Sequence, residues 1–148
     1  MANKQYGFRS SLSTDSASYT LIHDVLSAVS NKHTVRGILC DLSKAFDCVN
    51  HKILLLKLEH YEIRGTFWAL IKSYLAKRYQ RAALKDKTNT VNYSNWELVK
   101  HGVPQGSILG PLFFLLYINY LPTVIPGSAK LVLYADDTSF IINHSSPI

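Results

Sequence analysis

Three aspartates follow apolar segments in a pattern that suits metal or acid–base chemistry. Asp136 and Asp137 come directly after residues 131–135, and Asp41 comes directly after residues 37–40. Apolar segments of this length and composition are typical of β-strands. Only ten of the 148 residues are Asp or Glu, so three at strand ends are a concentration of acid. If the two strands are neighbours in one sheet, the three carboxylates gather at one edge.

A cluster of carboxylates has few stable arrangements. Two carboxylates ~5 Å apart repel by roughly 3 kcal/mol at an effective dielectric of about 20, so they protonate, move into water or bind a cation. Ligands that are all oxygen favour magnesium or manganese over zinc. Two such ions about 4 Å apart are the usual apparatus of in-line phosphoryl displacement. The alternative stays open, because paired Asp residues are common in tight turns and a single Asp can cap a helix.

The elements that must position these acids alternate along the chain. Capping residues and apolar periodicity predict helices over residues 16–31, 53–58, 66–76 and 107–120. Apolar runs predict strands over residues 35–42, 79–84 and 96–99 and a hairpin over residues 130–142. Helices and strands that alternate before a closing hairpin predict an α+β fold, with helices packed on one face of a sheet.

Two expectations about burial follow from the same patterns. The strand over residues 35–42 is expected to be buried, because it is a short continuous apolar run. The first helix is expected to turn its apolar face toward the core, through the residues Tyr19, Ile22, Val25, Leu26 and Val29.

The composition limits the class of protein. A hydrophobic content of 47% and 18% charged residues are typical of one globular domain, and a net charge of +6 suits a polyanionic partner.

The start of the chain resembles no secretory signal, and the apolar run over residues 108–121 is too short for a bilayer. Two cysteines without a CxxC pair predict buried thiols in a reducing compartment. We therefore expect an intracellular protein of the cytoplasm or nucleus, neither secreted nor bound to a membrane.

Most of the net positive charge lies within residues 72–87. This stretch has a single acid, Asp86, and its six basic residues are Lys72, Lys77, Arg78, Arg81, Lys85 and Lys87. Such a stretch can bind nucleic-acid phosphates with an affinity that depends on salt. An exposed helix face and a charged edge strand explain the pattern equally well.

Four segments of the chain resemble a known family when taken together. Three of them resemble successive blocks of the reverse transcriptase palm, and the first resembles the block before them; in order they are "QYGFRSSLSTDSA", "CDLSKAFDCVNH", "HGVPQGSILGPLFFLLYINYL" and "LVLYADD". The chain is similar to the reverse transcriptases of non-LTR (LINE-type) retrotransposons of the jockey-like group. The similarity extends from Gln5 to about Asn143.

The resemblance implies a right-hand polymerase fold. Residues 1–148 would be a single partial reverse transcriptase domain, an antiparallel palm sheet with helices on one face, with partial fingers and no thumb. Residues 1–34 would form the junction of fingers and palm, and residues 35–148 the palm core.

The resemblance also implies an activity, which is RNA-directed DNA polymerisation from dNTPs on a primer 3′-hydroxyl. Asp41, Asp136 and Asp137 would be the catalytic residues. These acids and the Leu42 carbonyl would hold two Mg²⁺ or Mn²⁺ ions. The partners would be an RNA template, a DNA primer and a dNTP, while the oligomeric state is left open.

Further positions match the family's nucleotide site. Phe46 would lie under the sugar of the incoming nucleotide and exclude a ribose 2′-hydroxyl, although a core Phe at a helix start is an alternative. Gln105 and Gly106 would contact the nucleotide or the template base pair, although an ordinary loop before a helix has the same pattern. The predicted nucleic-acid contacts are Arg9, Lys72, Lys77, Arg78 and Arg81; for Arg9, a surface ion pair is an equal alternative.

Two other functions fit the sequence. A truncated, catalytically inactive remnant would keep the acids and at most bind nucleic acid. An RNA-copying polymerase would share the palm but not the exclusion of ribonucleotides, so Phe46 argues against it. Primer extension separates the first alternative from a polymerase, and nucleotide preference separates the second.

Overall fold

The computed structural model of the protein describes residues 3–145. This part of the chain contains five helices, α1 Thr14–Ser30, α2 His51–His60, α3 Gly65–Leu75, α4 Leu109–Ile118 and α5 Leu121–Val124. The four predicted helices are confirmed. Helix α2 begins earlier than predicted because the Asn50 side chain caps it, accepting hydrogen bonds from the amides of Lys52 and Ile53 at 2.9 and 3.2 Å. None of the helices within residues 3–145 has the length and hydrophobicity needed to cross a membrane.

Seven strands in the same residues form three antiparallel sheets. They are β1 Thr34–Cys40, β2 Tyr79–Gln80, β3 Ala83–Lys85, β4 Val91–Tyr93, β5 Glu97–Leu98, β6 Ala129–Tyr134 and β7 Asp137–His144. The main sheet has the order β1-β7-β6, while β2 pairs with β5 and β3 with β4. The α+β fold is therefore confirmed. The division into palm and fingers, and the boundary at residue 34, stay predictions.

The register of the main sheet determines where the acids lie. Cys40 pairs with Thr138, and Tyr134 pairs with Asp137 across the turn of the β6–β7 hairpin. Strands β1 and β6 share the sheet, but they are not direct neighbours, because β7 runs between them. Asp41 follows Cys40 by one residue, so its backbone lies at the edge where the hairpin turns.

Two groups of packed elements hold the sheet and the loops around it. Helix α1 packs on all three strands of the main sheet. Helix α2 packs against α3 and α4 in a separate core, whose buried members are Val49, Leu54, Leu58, Ile71, Leu75, Val103, Phe113 and Phe114. This second core anchors the loops on both sides of α2 and the loop before α4.

The predicted apolar face of α1 is wrong for four of its five residues, while the fifth, Val25, is half-buried. Tyr19 and Leu26 are 71% and 62% exposed, and Ile22 and Val29 are both 57% exposed. The buried residues of α1 are the alanines Ala17 and Ala28. Small side chains let the helix backbone approach the sheet closely, which leaves the bulkier residues on the opposite face.

Strand β1 is also more exposed than expected. It lies at the edge of the β1-β7-β6 order, and Leu39 is 77% exposed. An apolar run does not by itself distinguish a central strand from an edge strand, which explains the wrong prediction of burial.

The polar segment predicted as a loop around residues 85–95 contains a small hairpin, β3–β4. Its turn depends on Asp86, whose Oδ1 accepts hydrogen bonds from the amides of Thr88 and Thr90 at 2.8 and 2.9 Å. The Thr88 hydroxyl also donates to this oxygen at 2.6 Å. These bonds, the side-chain bond foremost, lower the pKa of Asp86 below its ordinary value of 3.8.

Candidate active site

Four of the predicted site residues lie around one cleft. Phe46, Gln105 and Asp136 come from separate segments of the chain and together line a cavity of about 590 Å³. Gly106 lines the same cavity. The structure therefore brings together residues that the sequence could associate only through the family resemblance.

Phe46 forms a rigid wall of this cleft. Its ring stacks on Phe114 with a centroid distance of 4.5 Å and meets Phe8 edge-on at 6.1 Å. Phe46 is half-buried and packs at the margin of the helical core. The two interpretations of this residue are compatible, since one part of the ring contributes to the core and another lines the cleft.

The loop that carries Phe46 is bonded to the loop before α4. The Val103 amide donates to the Phe46 carbonyl at 2.9 Å, and the Gly102 amide donates to the Val49 carbonyl at 2.8 Å. His51 Nε2 lies 2.7 Å from the Gly102 carbonyl oxygen. These contacts join the loop that carries Phe46 to the loop that carries Gln105, and the two loops are walls of the cleft.

Gly102 allows this close approach. It has φ +87°, and a Cβ at this position would lie 2.9 Å from the Cα and carbonyl oxygen of Asp47. Both the conformation and the space therefore require glycine. Gly106 also has a positive φ of +78°, but a Cβ there would meet no atom within 4 Å, so only its backbone conformation favours glycine.

Gln105 is oriented by Asp47. Its Nε2 donates to Asp47 Oδ1 at 3.1 Å. Asp47 is not among the predicted site residues, and this hydrogen bond gives it a supporting role at the cleft. A fixed amide at the mouth of the cleft can present its remaining donor and acceptor to a bound polar group.

The turn that carries the paired acids is strained. Ala135 has φ +55°, a left-handed conformation that costs an alanine roughly 1–2 kcal/mol. Gln5 forms two hydrogen bonds to this residue: its Oε1 accepts from the Ala135 amide at 2.9 Å, and its Nε2 donates to the Ala135 carbonyl at 3.1 Å. These bonds offset part of the strain in the residue directly before Asp136.

Asp136 and Asp137 line different cavities. Asp136 is partly exposed in the cleft that contains Phe46, while Asp137 is exposed beside α1 in a cavity of about 210 Å³. The second cavity is also lined by Thr14 and Ser18 of α1. The side chains of Asp136, in the turn, and Asp137, the first residue of β7, thus face different surroundings.

The predicted metal ligands are oxygen atoms at one edge of the sheet, which suits Mg²⁺ or Mn²⁺. Asp41 is exposed at the end of β1, and the Leu42 carbonyl accepts one hydrogen bond from the Ala45 amide at 3.1 Å, which leaves it a second lone pair. Within residues 3–145, no three His, Cys, Asp or Glu side chains are grouped closely enough to hold an ion. The predicted ligands are therefore of a suitable chemical type, but the described side chains do not converge on one point, and their coordination of two ions stays a prediction.

The predicted basic contacts do not all lie at the cleft. Arg78 lines an adjoining polar cavity of about 600 Å³ together with Lys44 and Lys100, and Gln105 lies in the wall between this cavity and the cleft. Lys72, Lys77 and Arg81 are not among the residues that line it.

Several of these cations contact aromatic rings. Lys72 Nζ lies 4.9 Å from the ring centroid of Trp68, and Arg81 Cζ lies 4.6 Å from that of Trp96. Such contacts are favourable by about 0.5–1 kcal/mol at exposed sites and still leave the charge in solvent. Arg9 is placed differently, because its Nη1 donates to the Gln5 carbonyl at 3.1 Å. A nucleic-acid contact by any of these residues stays a prediction.

Sequence reasoning missed Gln5 and Lys44 as residues of the site. Gln5 is only 3% exposed, and a polar residue four positions before Arg9 gave no sign of such burial. Lys44 lines both the cleft and the adjoining polar cavity. The available signal was its position in the short segment that carries three predicted site residues, Asp41, Leu42 and Phe46.

Comparison with known families identifies the class of protein. A family model described as reverse transcriptase (RNA-dependent DNA polymerase) matches residues 1–147. The chain belongs to the reverse transcriptase family, as the four sequence blocks predicted.

Individual relatives agree with the non-LTR assignment. The probable RNA-directed DNA polymerase from transposon BS of Drosophila melanogaster is 30% identical over 147 residues, which are 95% of this chain and 16% of that protein. The probable RNA-directed DNA polymerase from transposon X-element of the same species is 33% identical over 136 residues, 90% of this chain and 14% of the relative. The RNA-directed DNA polymerase from mobile element jockey is 28% identical over 148 residues, 96% of this chain and 16% of the relative. The chain thus spans 14 to 16% of the length of these relatives.

Proposed function

We propose that this chain forms the nucleotide-addition region, the palm with part of the fingers, of an RNA-directed DNA polymerase of a non-LTR retrotransposon. The main support is the cleft that Phe46, Gln105 and Asp136 line together. The primer 3′-hydroxyl would attack the α-phosphate of a dNTP, its proton would pass to solvent, and pyrophosphate would leave. Catalysis of this kind depends mainly on positioning and on neutralising charge.

The acids at the strand ends would bind the divalent cations. The proposed ligands are Asp41, Asp136 and Asp137, together with the Leu42 carbonyl. Two bound Mg²⁺ or Mn²⁺ ions would supply activation of the attacking hydroxyl and neutralisation of the leaving group. In this proposal Asp136 faces the nucleotide directly, which its position in the wall of the cleft supports.

Other residues of the cleft would select and orient the nucleotide. The Phe46 ring, held by its stack on Phe114, would exclude a ribose 2′-hydroxyl by contact. Gln105, oriented by Asp47, would contact the nucleotide or the template base pair, with Gly106 beside it.

Basic residues would bind the RNA template and the DNA primer. Arg78 lies in the polar cavity next to the cleft and would contact phosphate there. The more peripheral contacts would come from Arg9, Lys72, Lys77 and Arg81. A polymerase with these substrates would act in the cytoplasm or the nucleus.

Primer extension tests the proposal directly. The purified chain is incubated with an RNA template, an annealed DNA primer, dNTPs and Mg²⁺, and extended primers are resolved on a gel. We expect template-dependent extension that falls at least about 100-fold in Asp136→Asn and in Asp41→Asn, as the loss of a major electrostatic group predicts. Asp15→Asn, an exposed acid in the first turn of α1, is the matched control and should retain activity.

A nucleic-acid-binding remnant would give a different result. Retention of the template–primer duplex on a filter, with no extension by the unsubstituted chain in Mg²⁺ or Mn²⁺, would contradict the polymerase proposal and support binding alone. Salt dependence of the retained fraction would then measure the phosphate contacts, and Arg78→Ala should lower that slope by about one.

A further inference from the structure

The buried amide of Gln5 contacts the turn that carries Asp136. We infer that Gln5 is a positioning residue: it holds the Ala135–Asp136 turn in the conformation that presents the Asp136 carboxylate to the cleft. The effect of Gln5 on catalysis rests on the proposed function. Its effect on the conformation of the Ala135–Asp136 turn can be measured separately, without any polymerase assay.

The hydrogen bonds of Gln5 are concentrated on this turn. Its Oε1 accepts from the Ala135 amide at 2.9 Å and from the Gly7 amide at 2.7 Å, while its Nε2 donates to the Ala135 carbonyl at 3.1 Å. Gln5 is 3% exposed, so water does not compete for these groups. A side chain that bonds both the amide and the carbonyl of one residue restricts the rotation of the peptide groups on both sides of it.

The backbone beside Gln5 is attached to the same strand. The Tyr6 amide donates to the Leu133 carbonyl at 2.8 Å, and the Leu133 amide donates to the Lys4 carbonyl at 2.9 Å. In this parallel bridge Gln5 lies opposite Leu133. Leu133 is close to the end of β6 and two residues before Ala135. The Gln5 side chain therefore reaches the turn from a fixed position.

Gly7 completes the contact by leaving space for the turn. A Cβ at position 7 would lie 2.2 Å from the Ala135 nitrogen and 2.9 Å from its Cα. Any larger residue would displace Ala135. The short segment Gln5-Tyr6-Gly7 thus matches the shape and the hydrogen-bonding groups of one strained residue.

The conformation of Ala135 determines the direction of the next side chain. Ala135 has φ +55°, and Asp136 follows it directly. If Ala135 relaxed to a right-handed or extended conformation, the chain would leave the turn in another direction. Asp136 would then point away from the cleft that contains Phe46 and Gln105.

The test compares Gln5→Met with the unsubstituted chain in two measurements. Methionine keeps the length of the side chain but removes the donor and the acceptor. We expect amide hydrogen exchange at Ala135, followed by NMR, to become about tenfold faster, as the loss of a buried hydrogen bond predicts. We expect Mn²⁺ binding, followed by electron paramagnetic resonance without nucleotide or nucleic acid, to weaken by about fivefold or more.

A second substitution distinguishes positioning from general stability. Glycine adopts a positive φ without strain, so Ala135→Gly in the Gln5→Met background should restore Mn²⁺ affinity at least in part. Because glycine at position 135 also relieves backbone strain and so raises stability, Mn²⁺ affinities are compared under conditions where urea denaturation shows every variant to be fully folded. A restored affinity there cannot come from a larger folded fraction. Asn92→Met, an exposed amide in the peripheral β3–β4 hairpin, is the matched control and should bind Mn²⁺ as the unsubstituted chain does. If Gln5→Met does not fold, Gln5→Asn takes its place, because it keeps the amide uncharged but shortens its reach to Ala135 by one methylene.

Three results would contradict the inference, and they differ from one another. Unchanged Mn²⁺ affinity in a folded Gln5→Met chain would exclude a positioning role, and so would a weakened affinity that Ala135→Gly fails to restore. An unsubstituted chain that binds Mn²⁺ no better than Asp136→Asn would contradict the proposed function itself and the positioning role with it. The last result is obtained from the unsubstituted chain and Asp136→Asn alone, so it can be distinguished from the first two, which require the Gln5→Met variant.

Discussion

Phe46 has two roles in this molecule, and both follow from the position of one ring. It stacks on Phe114 at the margin of the helical core, and it lines the cleft that Asp136 also lines. Packing on one side fixes the ring, so that it can act as a steric barrier on the other side. A flexible side chain at the same position would move away from a 2′-hydroxyl at little energetic cost.

Replacement of Phe46 by alanine is expected to weaken the exclusion of ribonucleotides. Removing one steric contact in a binding site changes discrimination by about 10- to 200-fold. Incorporation of a single dNTP and of the matching NTP should be compared in Phe46→Ala and in Phe67→Ala, an exposed phenylalanine of α3. Equal ribonucleotide exclusion in the two variants would show that Phe46 is only a packing residue.

The acidic turn gives a prediction about stability. Like charges in a solvated turn repel by up to about 1 kcal/mol, so Asp136→Asn should raise the melting temperature in metal-free buffer by up to about 2–4 °C. Millimolar Mg²⁺ should raise the melting temperature of the unsubstituted chain and affect Asp136→Asn less. Calorimetry of both chains, with Asp15→Asn as the control, measures the difference. A lower melting temperature for Asp136→Asn in metal-free buffer would mean that the carboxylate stabilises the apo fold.

At the scale of elements, the cleft depends on the contact between two loops rather than on one helix or strand. The loop after β1 carries Phe46, and the loop before α4 carries Gln105. Backbone hydrogen bonds from Gly102 and Val103 join them. A change in this contact should therefore affect the cleft without affecting the main sheet.

Gly102→Ala is expected to destabilise the chain by about 1–3 kcal/mol, because the new Cβ would overlap the backbone of Asp47 and a positive φ is strained for alanine. Gly37→Ala in β1 is the matched control, since a Cβ there would meet no atom within 4 Å. Urea denaturation of both variants gives the two free energies of unfolding. Equal values would show that the loop contact contributes nothing to stability.

At the scale of the whole molecule, the fold leaves much apolar surface exposed. Tyr19, Ile22, Leu26 and Val29 form an apolar face on α1 in which each residue is more than half exposed. Contiguous apolar surface on a soluble domain is associated with interaction or with aggregation.

Two substitutions in α1 should therefore differ in how far they destabilise the chain. Leu26→Ser removes an exposed apolar side chain, so we expect a change in unfolding free energy within about 0.5 kcal/mol. Ala28→Leu places a larger side chain at a position that is 3% exposed, and overpacking of this kind costs about 1–3 kcal/mol. Thermal unfolding of the two variants measures both effects. A greater loss of stability in Leu26→Ser would restore the original prediction for the apolar face.

The sequence by itself was sufficient for the four longer helices, the closing hairpin and the family, but not for the β3–β4 hairpin or for α5. Apolar periodicity and capping residues are local signals, so the helices α1 to α4 and the β6–β7 hairpin could be predicted from neighbouring residues. Four motifs in one order identified the family, although each motif alone also fitted an ordinary turn or loop.

Only the tertiary structure decided which faces are buried and which side chains meet. The exposed face of α1, the edge position of β1 and the contact of Gln5 with Ala135 all depend on segments distant in the chain. Gln5 and Ala135 are 130 positions apart, so no local pattern could associate them. Burial and hydrogen bonding are properties of the assembled chain, because they depend on which atoms exclude water from a residue, whereas helix and strand signals depend on residues a few positions away.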